Sequence, residues 1–103
     1  MKIVRSRNNI PIRLTDERWQ HIVRRHPEMD TFQERDLETV SQPSQIDEDD
    51  YGTLLAIRFY SETPLTSKYL IAVYREVQLD DGFILTAYLA SRLSTRRKTL
   101  WKS

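Results

Sequence analysis

The chain contains no cysteine. Disulfides, thiolate nucleophiles and Cys-based zinc sites are therefore excluded. It has only two glycines, Gly52 and Gly82, so there is no glycine-rich phosphate loop of the kind that cradles nucleotide cofactors. None of its serines sits in a nucleophile elbow or a recognisable triad context. No run approaches the roughly 20 apolar residues of a membrane span. Met1–Ile12 is basic and polar, without the apolar stretch of a signal peptide. These absences lead to the expectation of a cytoplasmic protein with no membrane contact.

What is present is ordinary in amount and uneven in placement. A chain of 103 residues, 39% hydrophobic and 30% charged, fits one domain with a modest core. The net charge of +1 is the sum of a basic start (+4 over residues 1–28), an acidic middle (−7 over 29–63) and a basic end (+4 over 64–103). If the ends meet in space, they make a positive side suited to phosphates. The plainer alternative is two solvated faces.

The centre of the chain, Lys68–Tyr88, reads as two strands. Lys68–Gln78 is rich in β-branched and aromatic residues, and Asp81-Gly82 is a strong hairpin signal because Gly accepts positive φ. Phe83–Ala90 then alternates, with Phe83, Leu85, Ala87 and Leu89 on one face. Ile84, Thr86, Tyr88 and Ala90 fall on the other. Upstream, Lys2–Val4 and Ile10–Leu14 suit a short hairpin across Asn8-Asn9, with Pro11 confining its segment to an edge. Thr15 is placed to cap a helix carrying Trp19, Ile22 and Val23 on one stripe, and Pro27 ends it near Arg25 or His26. Phe32–Val40 is a second helix, with Phe32, Leu37 and Val40 facing inward. Asp47–Asp50 reads as an exposed acidic turn, Tyr51–Tyr60 as a strand and Ser94–Ser103 as a basic tail with a last helical turn. Helices followed by strands predict an α+β fold: one or two N-terminal helices packed on a small antiparallel sheet.

Candidate chemistry rests on few residues. His21 and His26 are the only histidines, and histidine is the side chain that ordinarily titrates near neutral pH. Five positions apart on a helix, they point about 140° from each other, which does not suit a metal pair. Neither a metal nor a cofactor is expected. If Leu55, Ile57 and Phe59 face the helices, Arg58 and Tyr60 lie on the opposite, open face, joined by Thr86 and Tyr88. The Lys68 strand allows either phasing. One places Lys68 and Tyr74 on the open face with Tyr69 and Arg75 inward, and the other reverses this. An open face of Arg, Lys, Tyr and Thr suits RNA, through phosphate pairing and base stacking.

Five spaced motifs then carry a resemblance over about Leu14–Trp101: WQHIVRRHPEM, LETVSQPSQI, TPLTSKYL, FILTAYLASR and LW. The chain resembles a widespread family of small bacterial and cyanobacterial proteins similar to the barnase/RelE-like nucleases, which include phage-associated nucleases and toxin–antitoxin toxins. The resemblance implies helices against a small antiparallel sheet. It points to His21 and His26 of H-x4-H-Pro-Glu, Lys68 and Tyr69 of the KYL step, Arg75 where relatives often have Lys, and Thr86 and Tyr88 of TAY. Phe59-Tyr60 matches an aromatic pair. The second helix and acidic loop depart most from the family pattern.

Taken together, the expectation is a metal-independent endoribonuclease, acting as a toxin with a small antitoxin protein as partner or in a phage-associated system. His21 is the expected acid or base, Lys68, Arg75 and Arg58 the charge stabilisers, and Thr86 and Tyr88 the positioning groups. Tyr60, Tyr69, Arg96, Arg97 and Lys98 are expected to hold RNA. The alternative is a non-catalytic module that binds nucleic acid or a partner protein. The helix histidines and the open-face residues can meet only at the sheet edge. Oligomeric state is left open.

Overall fold

The computed structural model describes residues 1–63 and 68–103. The TPLTS portion of the KYL motif lies largely outside them. Among the described residues the fold is α+β, with strands β1 (Lys2–Arg5), β2 (Pro11–Leu14), β3 (Gln45–Glu48), β4 (Leu54–Phe59), β5 (Tyr69–Gln78), β6 (Asp81–Ala90) and β7 (Lys98–Lys102). Two helices, α1 (Asp16–Arg25) and α2 (Gln33–Ser41), lie between β2 and β3. The sheet is larger than expected and mixed: seven strands in the order β1-β2-β6-β5-β4-β3-β7, with β2 and β6 parallel.

The N-terminal hairpin forms across Asn8-Asn9, with Asn9 at φ 64°. Pro11 does not sit on an edge strand, because β2 lies between β1 and β6. It is tolerated as the first residue of its strand, where a missing N–H costs least. In α1 the Thr15 side chain accepts from the Arg18 amide, and the helix ends at His26, whose amide donates to the Ile22 carbonyl. A 3-10 turn, Pro27–Met29, follows and buries Met29 in the core.

Gly82 serves a different purpose from the one its sequence context suggests. The hairpin turn falls on Leu79-Asp80, and Gly82 lies within β6 without positive φ. A Cβ there would meet Ile12 Cδ1 at 2.5 Å and the Arg75 carbonyl at 2.6 Å. The residue is glycine because strands approach it closely from both sides.

The facing of the strands also differs from expectation. Leu54, Ala56, Leu70, Ala72, Tyr74, Ile84, Ala87 and Leu89 join Ile22, Met29, Phe32, Leu37 and Val40 in the main core. Leu55, Ile57 and Ile71 form a second cluster, flanked by Tyr69, Val73, Tyr88, Ala90 and Leu93. Leu55 and Ile57 therefore face away from the main core, and Arg58 and Tyr60 are on the helix side. Leu54–Ile57 is buried on both faces, so the alternation carried no information about which side is in. In β6 a bulge breaks the alternation: Tyr74 pairs with Ile84 but Val73 with Thr86, leaving Leu85 extra. Ile84 and Ala87 thus share a face that strict alternation separates.

The second cluster is covered because residues 91–97 cross from β6 to β7 and lay Leu93 on it. Three strands separate β6 from β7, about 19 Å, so this connection is a strap drawn across the face. The expected terminal helical turn is instead strand β7, paired with β3. The expected acidic turn is partly strand as well. Asp47 is buried in β3, where its carboxylate accepts from Gln45 Nε2 (2.8 Å) and Thr99 Oγ1 (3.0 Å). The two sheet edges approach each other: Arg7, in the β1–β2 turn, lies 4.1 Å over the Trp101 ring of β7.

One residue stands out energetically. Asp36 of α2 is fully buried, and neither carboxyl oxygen has a hydrogen-bond partner among the described residues. Loss of hydration pushes its carboxyl up to about 8. It is therefore protonated at neutral pH, which is the cheaper form where no counter-charge is at hand.

Candidate active site

The outer edge of β6 is where helix and sheet side chains meet. Strand β2 pairs with β6 only through Ile12–Gly82 and Arg13–Phe83. Beyond that point α1 lies beside the strand, and Arg18 Nη1 donates to the Leu85 carbonyl at the bulge (3.5 Å). This placement carries the end of α1 to the last turns of β6.

There the His26 ring stands 5.8 Å from the Tyr88 ring, tilted by 32°. Arg97, from the strap, donates through Nη2 to the Tyr88 hydroxyl (3.3 Å). Glu28, one residue beyond Pro27, has Oε2 3.8 Å from His26 Nδ1. The His26 side chain is 34% exposed and that of Glu28 18%, so the imidazole is accessible while its carboxylate neighbour is largely covered. Thr86 precedes Tyr88 by two residues on the same face, about 7 Å away along the strand. The site thus joins an imidazole, a phenol, a guanidinium and a carboxylate from three segments: the His26–Glu28 step, β6 and the strap.

The remaining candidates lie elsewhere. His21 is exposed on α1 and lines a cleft with Thr15, Glu17 and Arg18. Lys68 Nζ donates to the Ser61 carbonyl at 2.7 Å, and Arg75 Nη2 to Thr53 Oγ1 at 3.1 Å. Lys68 and Arg75 are seven residues apart on an extended chain, about 23 Å, so they do not act on one phosphate. Arg58, expected on the open face, donates to the Gln42 carbonyl at 2.7 Å. Gln42 caps the C-terminus of α2, where a cation is favoured by the helix dipole.

Tyr60 belongs to the same helix contact, donating to Glu38 Oε1 at 2.7 Å. Its phenol is pushed up to about 12, chiefly by burial, with the Glu38 carboxylate adding to the effect. Both residues therefore hold α2 to the sheet. Arg96 and Lys98 flank Arg97 and are exposed. Tyr69 lies on the same face as Tyr88 and makes an edge-on pair with Phe59, 5.5 Å between ring centres.

Glu28 was not singled out by sequence reasoning as a site residue, although it is the acid of the His-Pro-Glu step. Among the described residues no group of three or more His, Cys, Asp or Glu side chains is placed to hold a metal ion. Among the described residues, no helix is long and apolar enough to cross a membrane. No family model, curated protein or solved structure matches the chain.

Proposed function

We propose that the protein is a metal-independent endoribonuclease of barnase/RelE-like type whose reaction centre is His26, Tyr88 and Arg97. The observation that carries this reading is the meeting of His26 with Tyr88 while Arg97 reaches the same phenol. Cleavage of RNA without a metal needs a base for the 2′-hydroxyl, a cation on the phosphate and an acid for the leaving 5′-oxygen. His26 removes the 2′-proton, and the 2′-oxygen attacks phosphorus. Arg97 neutralises the charge that builds on the non-bridging oxygens. The P–O5′ bond breaks, Tyr88 supplies its proton to the departing oxygen, and a 2′,3′-cyclic phosphate remains. Glu28 orients the imidazole, and Thr86 positions the backbone. Arg96 of the strap and Lys98 at the start of β7 hold flanking phosphates.

The reading of the protein as a growth-arresting toxin with an antitoxin partner, in the cytoplasm, belongs to the same proposal. It is supported by the resemblance of the motifs. Purified protein incubated with RNA in chelator tests the chemistry. Cleavage should persist, and His26→Ala or Arg97→Ala should slow it about 100-fold or more. Complete loss on chelation, or undiminished rates in both variants, would overturn it. A non-catalytic RNA-binding module is favoured by one specific observation: only one of the two histidines reaches the cluster. That reading expects salt-dependent binding without cleavage.

A further inference from the structure

The face that carries Tyr88 continues into a line of aromatic rings. Tyr69 pairs with Ala90 across β5 and β6, so Tyr88 is its diagonal neighbour, at about 7–8 Å and within reach of an aromatic side chain. Tyr69 in turn meets Phe59 at 5.5 Å. The rings of Phe59, Tyr69, Tyr88 and His26 therefore follow one another across three strands to the end of α1.

At the far end of this line is a small groove of about 200 Å³, bounded by Phe59, Tyr69, Leu93, Gln45 and Lys102. It is smaller than the roughly 300–1,000 Å³ pockets of drug-sized ligands, a size for one flat ring system and not for a base pair. Phe59 is 54% exposed, which leaves much of an apolar ring facing water beside a lysine. Lys102 of β7 lines the groove and Arg92 adjoins Leu93 in the chain; both are exposed and give this side of the groove the sign that a phosphate backbone needs.

We propose that the Phe59–Tyr69 groove is a base-binding site that holds one unpaired nucleobase of a single-stranded RNA, with Lys102 on its phosphate. The occupant is a single strand because its bases are free to stack on an aromatic ring, whereas those of a duplex are not. The inference rests on the ribonuclease reading for the path of the strand, which runs from the groove along Tyr69 towards Tyr88 and His26. It makes the protein selective for unpaired over paired RNA and assigns that selectivity to residues outside the reaction centre.

The test separates binding from cleavage. The probe is a fluorescein-labelled ten-nucleotide single strand, 2′-O-methylated throughout so that no 2′-hydroxyl attack can occur, compared with its blunt duplex by anisotropy. The single strand should bind more tightly than the duplex. Phe59→Ala should weaken it about 5- to 100-fold, the range that loss of one stacking aromatic gives. Phe59→Trp should preserve binding, and Lys102→Glu should weaken it and flatten its salt dependence. Tyr51→Ala removes another ring, 82% exposed in the β3–β4 turn, and should change nothing. This pattern supports the site whether or not unmodified RNA is cleaved. Equal affinity for strand and duplex, or wild-type binding by Phe59→Ala with an unchanged melting temperature, overturns it even if cleavage at His26 stands.

Discussion

Replacing Asp36 with Asn removes one titrating group from the middle of the protein and should change how stability responds to pH. Below the ordinary carboxylate value of 3.8, Asp36 is protonated in both folded and unfolded chains and contributes no pH dependence. Between 3.8 and about 8, the unfolded chain loses this proton while the folded chain keeps it. The stability present at low pH is therefore lost as pH rises, by about 1.4 kcal/mol per unit for this group alone. From pH 5 to 7 the loss is about 3 kcal/mol, a large share of the 5–15 kcal/mol typical of a small domain.

Asn keeps the shape of the side chain, and the cost of burying its amide does not change with pH. It therefore cancels when slopes are compared. Urea unfolding at pH 5, 6 and 7, followed by tryptophan fluorescence, gives those slopes. The advantage of Asp36→Asn over the wild type should grow across this interval. Parallel stability curves for the two proteins would show that Asp36 is ionised or solvated in the folded state, and would refute the argument.

Three further outcomes follow from named contacts. Gly82→Ala drives a methyl group into the Ile12 side chain and the Arg75 carbonyl; it should cost about 1–3 kcal/mol and lower the melting temperature by several degrees, whereas an unchanged temperature would remove the close-approach explanation. Arg58→Ala loses the bond to the Gln42 carbonyl at the end of α2, so it should destabilise by about 1 kcal/mol in urea titration while leaving the proposed RNA cleavage per folded molecule intact. For Asp49, loss of hydration raises the carboxyl, but the amides of Thr53 and Tyr51 and the charge of Arg75 outweigh it and hold the group below the ordinary value. Its contribution is thus present above the ordinary carboxylate range and lost in acid, and the gap in melting temperature between wild type and Asp49→Ala should close as pH falls below about 4.

Local features were legible in the sequence. Thr15, the Trp19–Ile22–Val23 stripe and Pro27 define α1 within one or two turns of chain, and the structure follows them. The Asn8-Asn9 turn is equally local. The α+β class followed from the order of elements. The facing of the strands did not, because the second face of the sheet is covered by a strap whose path depends on where β7 pairs. Once both faces are buried, Leu54–Ile57 and Leu70–Ala72 carry the same residues on either side. Asp47 misled for a related reason: a run of four acids reads as solvent, yet one of them finds Gln45 and Thr99 inside the sheet. His26, Thr86, Tyr88 and Arg97 were all legible as candidates by residue type. Their meeting was not, because it depends on contacts between segments distant in sequence.

The position of the site follows from how the sheet edge is closed. Strand β6 is ten residues long, but β2 pairs with it at only two positions. The remaining edge would present unpaired backbone groups to solvent or to another chain. The bulge at Leu85 kinks the strand where β2 departs, and α1 comes alongside, with Arg18 taking up the Leu85 carbonyl. A helix that covers an edge places its C-terminus level with side chains of both faces. His26, as the residue that ends α1, is therefore brought to Tyr88 on the second face although the body of α1 packs on the first. The strap that covers this second face must begin where β6 ends, and it brings Arg97 to the same phenol. Covering one edge and one face of the sheet is thus sufficient to assemble the imidazole, phenol and guanidinium, and the polar cluster lies at the boundary between the two coverings.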